Sequence, residues 1–136
     1  MRKILFRGKR IDNGEWVSSG NIIRFNTENG EDLVFIPALN EPCICDHDEK
    51  DNIIAFEKGM FYKVDTKTVG QYTGLKDKNG KMIWEGDILA LRNGIPRVVR
   101  FEDGAFVLEN TSIPMRFANK FEVIGNITDN PELLEK

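Results

Sequence analysis

Five times in this chain a short polar residue is followed directly by glycine: Asn13-Gly14, Asn29-Gly30, Asn79-Gly80, Asn93-Gly94 and Asp103-Gly104. Each pair lies between runs that alternate or cluster apolar residues. A two-residue type I′ loop needs positive φ at both central positions, which Asn and Asp tolerate and Gly adopts freely, and its twist matches the strands it joins. So many tight turns in 136 residues confine the chain to a mainly β fold of antiparallel hairpins. Lys58-Gly59, between NIIAF and MFYKV, is a sixth candidate turn.

Between the turns, strands are expected over 2–10, 15–25, 32–36, 53–57, 60–65, 81–84, 87–92, 96–102, 105–110 and 121–127. Helical signal is confined to DNPELLEK, where Asp129 or Asn130 can cap and Pro131 suits the first position of a short C-terminal turn. Pro114 excludes a central strand from 111–120, which reads as a loop with a single turn. A soft boundary near residue 66 divides an N-terminal antiparallel β subdomain, 1–66, from a C-terminal one, 67–136, and the two are compatible with packing as one unit. Short strands in a meander close most readily into a small SH3-like barrel, because closure removes exposed edges. That is the expectation for the C-terminal half.

Charge and composition narrow the function classes. With 40% apolar and 30% charged residues the chain has the balance of an ordinary soluble globule. A net charge of -3 gives no overall attraction to nucleic acid or anionic lipid, though a local basic patch is compatible with it. The opening MRKILFRGKR has an apolar run of only Ile4, Leu5 and Phe6 before Arg7, too short for a signal-peptide core. The expected location is therefore the cytoplasm, where Cys43 and Cys45, one residue apart, stay reduced.

The glycine-rich stretch VGQYTGLKDKNGKMIWEGDIL, 69–89, invites a phosphate-loop reading. Gly74 and Gly80 are, however, one residue too far apart for that motif, and Met82 stands where Ser or Thr would reach the metal. The same residues make sense as turns: Asn79-Gly80 closes a hairpin between LKDK and KMIW. Gly86 reverses the chain, and the Asp87 carboxylate can accept bonds from nearby backbone amides. Tyr72, Leu75, Ile83 and Trp84 are the expected apolar anchors of this block, at the junction of the two halves.

The acidic loop NEPCICDHDEKDN, 40–52, carries the one metal-binding hypothesis. In an extended segment Cys43, Cys45 and His47 point to one side, and thiolate with imidazole suits zinc. Structural zinc sites draw ligands from two loops, and here only Asp46, Asp48 or Glu49 could complete a tetrahedron, so no metal residue is assigned. His47 is the sole histidine, with no nucleophile elbow to serve it. The carboxylate pairs Glu85 with Asp87 and Glu102 with Asp103 are read as turn and surface groups, so no catalytic or cofactor-binding residue is assigned either.

Binding is harder to exclude. Arg2, Lys3, Arg7, Lys9 and Arg10 crowd the first strand, and Arg92, Arg97 and Arg100 decorate a later hairpin. Beside Trp16, Trp84 or Tyr72 such a stripe could follow a phosphate backbone, although charges on strand faces also protect edges from aggregation. Phe101, Phe106, Phe117 and Phe121 are expected in the barrel core.

The opening MRKILFRGKRIDNGEWV, the central VDTKTVGQYTGLKDKNGKMIWEGDIL and the close FEVIGNITDNPELL together resemble the YopX family, small proteins encoded mainly by temperate phages and prophages. The resemblance implies a mainly β protein with an SH3-like barrel in its C-terminal half. It implies no activity, because the family has no established biochemistry and no catalytic residues to carry over, and PCICDHD departs from its pattern. The expected function is a phage or prophage accessory role without catalysis, as a protein-interaction or assembly module. A nucleic-acid-binding β-barrel module is the alternative. The partner is a protein, self-association is compatible, and no membrane is involved.

Overall fold

The computed structural model describes residues 4–37, 46–47, 53–55 and 61–134. It divides into two compact units, Leu5–Val69 and a second that runs from Gly70 onward and includes Ile4. Both are built from antiparallel strands, as the turn dipeptides require.

In the first unit β1 (Phe6–Lys9) pairs with β2 (Trp16–Ser19), Gly8 standing opposite Val17. A second ladder runs β3 (Ile23–Asn26), β4 (Asp32–Pro37), β7 (Phe61–Val64), and between the last two a short pair forms from β5 (Asp46–His47) and β6 (Ile53–Ala55). The single strand expected over 15–25 is therefore two. The break falls where the buried Ser19 hydroxyl accepts from the Asn21 amide at 3.2 Å, a local bond that competes with the ladder at Gly20. Val34, Ile36 and Val64 are fully buried and form the core, with Val17, Ile22 and Val69 packed on them. Past β1 the chain stays beside β7: Arg10 bridges Val64, and the Lys9 amide donates to Thr68 Oγ1 at 2.8 Å.

The second unit begins with β8 (Gly70–Lys76), paired with β9 (Met82–Trp84). A four-stranded sheet follows, in the order β12 (Ala105–Leu108), β11 (Pro96–Glu102), β10 (Asp87–Ala90), β13 (Glu122–Asn126). Its core is aliphatic: Ile83, Leu89, Val99, Leu108, Ala118 and Val123. The mainly β class stands, but hydrogen bonding among the described residues does not close the sheet into a complete barrel, since β12 and β13 lie at its two ends. The connection from β12 to β13 holds Pro114 and a 3₁₀ helix, Met115–Lys120, which buries Ala118 in the core in place of a closing strand. The C-terminal turn is also 3₁₀, Pro131–Leu134, with the Leu133 amide donating to the Asn130 carbonyl at 3.1 Å.

The five Asn-Gly and Asp-Gly turns occur where expected, but only one is of the expected type; Lys58-Gly59 lies outside the described residues. Asp103 and Gly104 both have positive φ, 51° and 83°, between the paired residues Glu102 and Ala105, which is the two-residue type I′ loop. In the four Asn-Gly loops only the glycine is left-handed. Thr27–Glu31, Asp77–Lys81 and Leu91–Ile95 share one pattern: the first amide donates to the last carbonyl, and the glycine amide returns to the first carbonyl. Those are three-residue loops, a type I turn followed by a glycine bulge. Arg10–Glu15 is one residue longer, the Gly14 amide reaching Arg10 at 3.0 Å. In the three shorter loops the asparagine stays out of the left-handed region because its place is the second central residue of the type I turn; Asn93 there, and Asn13 in the longer loop, accept from the amide two residues on.

Gly86 is the tight point between β9 and β10, with φ +90°, its amide donating to Val99 and its carbonyl accepting from Ile127. Space for a side chain exists, since a Cβ would meet nothing closer than 3.7 Å, so the obstacle is the backbone conformation. Gly86→Val is expected to lower stability by about 1–3 kcal/mol, the cost of a β-branched residue in that region. Thermal melting checks it, and an unchanged midpoint rejects the turn geometry.

Candidate functional site

The phosphate-loop reading fails because the amides it needs are already occupied. Asp77 opens the loop, and its Oδ1 accepts from the backbone amides of Asn79 and Lys81, both at 2.8 Å. The Gly80 amide goes to the Asp77 carbonyl, while Oδ2 accepts from Val123 of β13 at 2.9 Å. An internal carboxylate thus sits where an anion would. Asp77 is 5% exposed. Burial raises its pKa, but the Val123, Lys81 and Asn79 amides and the Lys81 charge outweigh that and hold the carboxyl below its ordinary range. The loop is further tied to β13 by the Lys78 amide on the Phe121 carbonyl and by Asn79 on Glu122.

The Glu85 and Asp87 carboxylates are likewise engaged in structure. Asp87 is buried and accepts from the Trp84 amide at 2.8 Å, as its turn position implied. Glu85 accepts from the Gln71 amide, and Glu102 and Asp103 are exposed at the β11–β12 turn. Thr73 was not singled out from the sequence, yet its buried hydroxyl donates to the Ile83 carbonyl and accepts from Leu75 where β8 bulges at Gly74. Tyr72, Ile83 and Trp84 are buried as expected, Tyr72 and Trp84 with ring centroids 5.5 Å apart. Cys43, Cys45, Asp48 and Glu49 lie outside the described residues, and of Asp46 and His47 only the strand pairing is described. Among the described residues no group of three His, Cys, Asp or Glu side chains is placed to hold a metal.

The basic first strand is not an open track for phosphates. Arg7 lies over the Trp16 ring at 4.5 Å and Lys9 over the same ring at 5.9 Å. Arg10 stacks on Tyr62 at 3.9 Å and makes two bonds to the Asp12 carboxylate, the largest cause of the upward shift of its pKa. Arg2 and Lys3 lie outside the described residues. On the later hairpin Arg100 pairs with Glu109 at 3.4 Å and Arg97 donates to the Pro96 carbonyl.

The phenylalanines are not the core of the second unit. Phe101 is 49% exposed, its ring edge-on to Phe106 across β11 and β12. Phe106, Phe117 and Phe121 are half-buried. The buried cluster itself is aliphatic, and of the four only Phe121 packs against it. Two of the displaced rings have another role. Phe117 and Phe121, with Leu91 and Ile113, floor an open groove of about 570 Å³ whose rim carries Arg92, Asn93 and Lys120. Leu91, Arg92 and Asn93 come from the β10–β11 turn, and Ile113, Phe117, Lys120 and Phe121 from the β12–β13 connection. Arg116 and Lys120 lie over the Phe117 ring at 4.9 and 5.1 Å. Among the described residues no carboxylate lines the groove. A second hollow, about 310 Å³ beside Pro96 and Leu133, is smaller and includes Glu109.

Of the described basic and aromatic residues singled out from the sequence, the fold gathers Arg92, Phe117 and Phe121 at this groove, Arg7 and Lys9 on Trp16, Tyr72 on Trp84 and Phe101 on Phe106. Comparison with known proteins places the whole arrangement. A profile described as YopX protein matches residues 5–135. The chain belongs to the YopX family. Among curated proteins there is no match. Among solved structures this YopX protein is similar to the crystal structure of protein EF1440 from Enterococcus faecalis. The TM-score is 0.61 with 23% identity, over 99% of this chain and 100% of that one, a likeness of fold alone. The groove's two walls and the Asp77 loop all fall inside the YopX match.

Proposed function

We infer that the protein is a phage or prophage accessory factor that acts without catalysis, as a protein-interaction or assembly module in the cytoplasm of a bacterial host. The groove over Phe117 is the observation that carries this reading. It is open and apolar, the character of a surface that receives side chains of another protein. Membership of the YopX family supports the accessory role, and no helix among the described residues is long and apolar enough to cross a membrane.

A nucleic-acid partner is the second reading, favoured by the grouping of Arg92, Arg116 and Lys120 about one aromatic ring. Against it, the net charge of -3 gives the chain no overall attraction to a phosphate backbone.

Phe117 is the residue to test, because it lines the groove without packing on the buried core cluster, and its backbone bond to Pro114 survives truncation. Phe117→Ala is expected to leave the melting midpoint nearly unchanged and to weaken partner capture about thirtyfold, the effect of losing a central aromatic anchor. The experiment is capture by the tagged protein from host lysate over a salt series, with and without nuclease. Retention that resists both and is lost in the variant supports the reading. Nucleic acid released at moderate salt favours the alternative, because phosphate contacts weaken steeply with salt.

A further inference from the structure

The groove's occupant can be narrowed from the charge around it, on the reading that the groove is the binding site. Residues 88–101 and 110–121 supply its walls and their flanks, and together they carry Arg92, Arg97, Arg100, Arg116 and Lys120 without one Asp or Glu. Elsewhere acids dominate, since the whole chain has 22 acidic against 19 basic residues. Glu109 is drawn to Arg100, and Glu122 accepts from Asn79. Arg92, Arg116 and Lys120 make no ion pair with a carboxylate of the described residues, and all three are exposed. An apolar floor is thus edged by three cations that no described carboxylate neutralises.

We propose that the groove binds an acidic amphipathic segment of a partner protein, large apolar side chains seated over Phe117 and Phe121 and Asp or Glu flanks against Arg92, Arg116 and Lys120. Three features select this class. Its volume of about 570 Å³ would admit a small molecule, but the site is only partly enclosed and would leave much of such a ligand in water. A basic or neutral segment would leave the cations unanswered, while an acidic one meets them at the rim, where charge sets partner choice and encounter rate. Nucleic acid offers phosphates for the cations but nothing to fill the aliphatic floor of Leu91 and Ile113.

The test uses the full chain, isotope-labelled, and four probes. The first is a peptide of roughly sixteen residues with Leu and Phe at helical i, i+3, i+4 and i+7 spacing and Glu at the flanking positions. The others are its counterpart with Lys for every Glu, a scrambled version of the acidic peptide, and oligothymidylate. The acidic peptide is expected to shift the amide signals of 91–93 and 113–121 in a saturable way and to bind about tenfold more tightly than the Lys peptide, as three rim contacts would give. Arg92→Glu with Lys120→Glu, both at exposed positions, should keep the fold and reverse that preference. Equal binding of the two peptides at the groove, abolished by Phe117→Ala, would overturn the acidic assignment and leave the binding site standing. Binding of oligothymidylate alone, or no perturbation of the groove by any probe, would overturn both. Equal binding of the scrambled peptide would reduce the effect to charge alone and also overturn the proposal.

Discussion

Asp77→Ala is expected to lower stability by about 3 kcal/mol, because three backbone amides lose their acceptor at once and each such bond is worth about 1 kcal/mol. The amides are those of Asn79, Lys81 and Val123, the last of them bonded in the interior. Asp77→Asn should cost less, since its carbonyl can still serve the loop while its NH2 faces the Val123 amide. Chemical denaturation measures both, and a loss under about 1 kcal/mol for alanine would show that the loop does not depend on the carboxylate. Dependence on pH gives a second readout with a definite sign. The folded carboxyl is held below its ordinary value of 3.8, so its ionisation stabilises the fold above that pH and the benefit is lost as pH falls through the folded value. The gap between wild type and Asp77→Ala should therefore be constant from neutrality down to about pH 4 and shrink below it. Asp12 and Asp32 are also held low, by bonds to Arg10 and Arg24, but these pairs are exposed. Measurement in high salt screens them and leaves the Asp77 contribution in view.

Asp77 also shows what a sequence discloses of a fold like this. The Asn79-Gly80 turn is legible because such chemistry is decided within five positions, whereas Asp77, at the head of the same D-x-N-G-K loop, reads from sequence only as part of the flanking LKDK. The bond to Val123 is not legible, since it joins residues 46 apart. β8 escaped notice for a related reason. GQYTGLK carries glycine at two of seven positions and the polar residues Gln71, Thr73 and Lys76 at three more, so neither alternation nor an apolar run marks it. What makes it a strand is its partner β9, with Thr73 supplying the bonds that the bulge at Gly74 would otherwise lose.

The groove was illegible for a different reason. Its apolar residues look like core residues in sequence, and Phe117 and Phe121 read as barrel filling. The aliphatic side chains already occupy the space, so the rings are left at the surface of the β12–β13 connection, where Pro114 and the 3₁₀ helix hold them. One signal was present and would have served: two stretches of 14 and 12 residues, 88–101 and 110–121, free of acid in an acidic chain. Neither means much alone. Once the sheet sets them side by side, their charges add.

In the first unit the largest effect is expected from Gly8→Val. Gly8 lies in mid-strand opposite Val17 without positive φ, so backbone freedom does not demand glycine there. Local propensity in fact favours replacement, since glycine within a strand costs roughly 0.5–1 kcal/mol relative to alanine. Packing decides otherwise. A Cβ would stand 2.8 Å from Val64 Cγ2, 2.9 Å from its Cβ and 3.3 Å from Ile36 Cδ1. Both neighbours are fully buried, and Val64 cannot rotate away because its strand is pinned by β4 and by the bridge to Arg10. Overpacking of that kind costs about 1–3 kcal/mol for one methyl group, and valine should exceed the alanine value. The expected order of stability is wild type, Gly8→Ala, Gly8→Val, and the reverse order would mean that the space over Val64 is not closed. A double mutant separates the causes. Val64→Ala removes the atom that the new Cβ meets first, so Gly8→Ala with Val64→Ala should be more stable than the two single effects predict by at least about 0.5 kcal/mol. If the effects are additive, the Val64 Cγ2 methyl is not what requires glycine, and the cost of Gly8→Ala comes from the strand itself or from the Cβ at position 64, which alanine keeps.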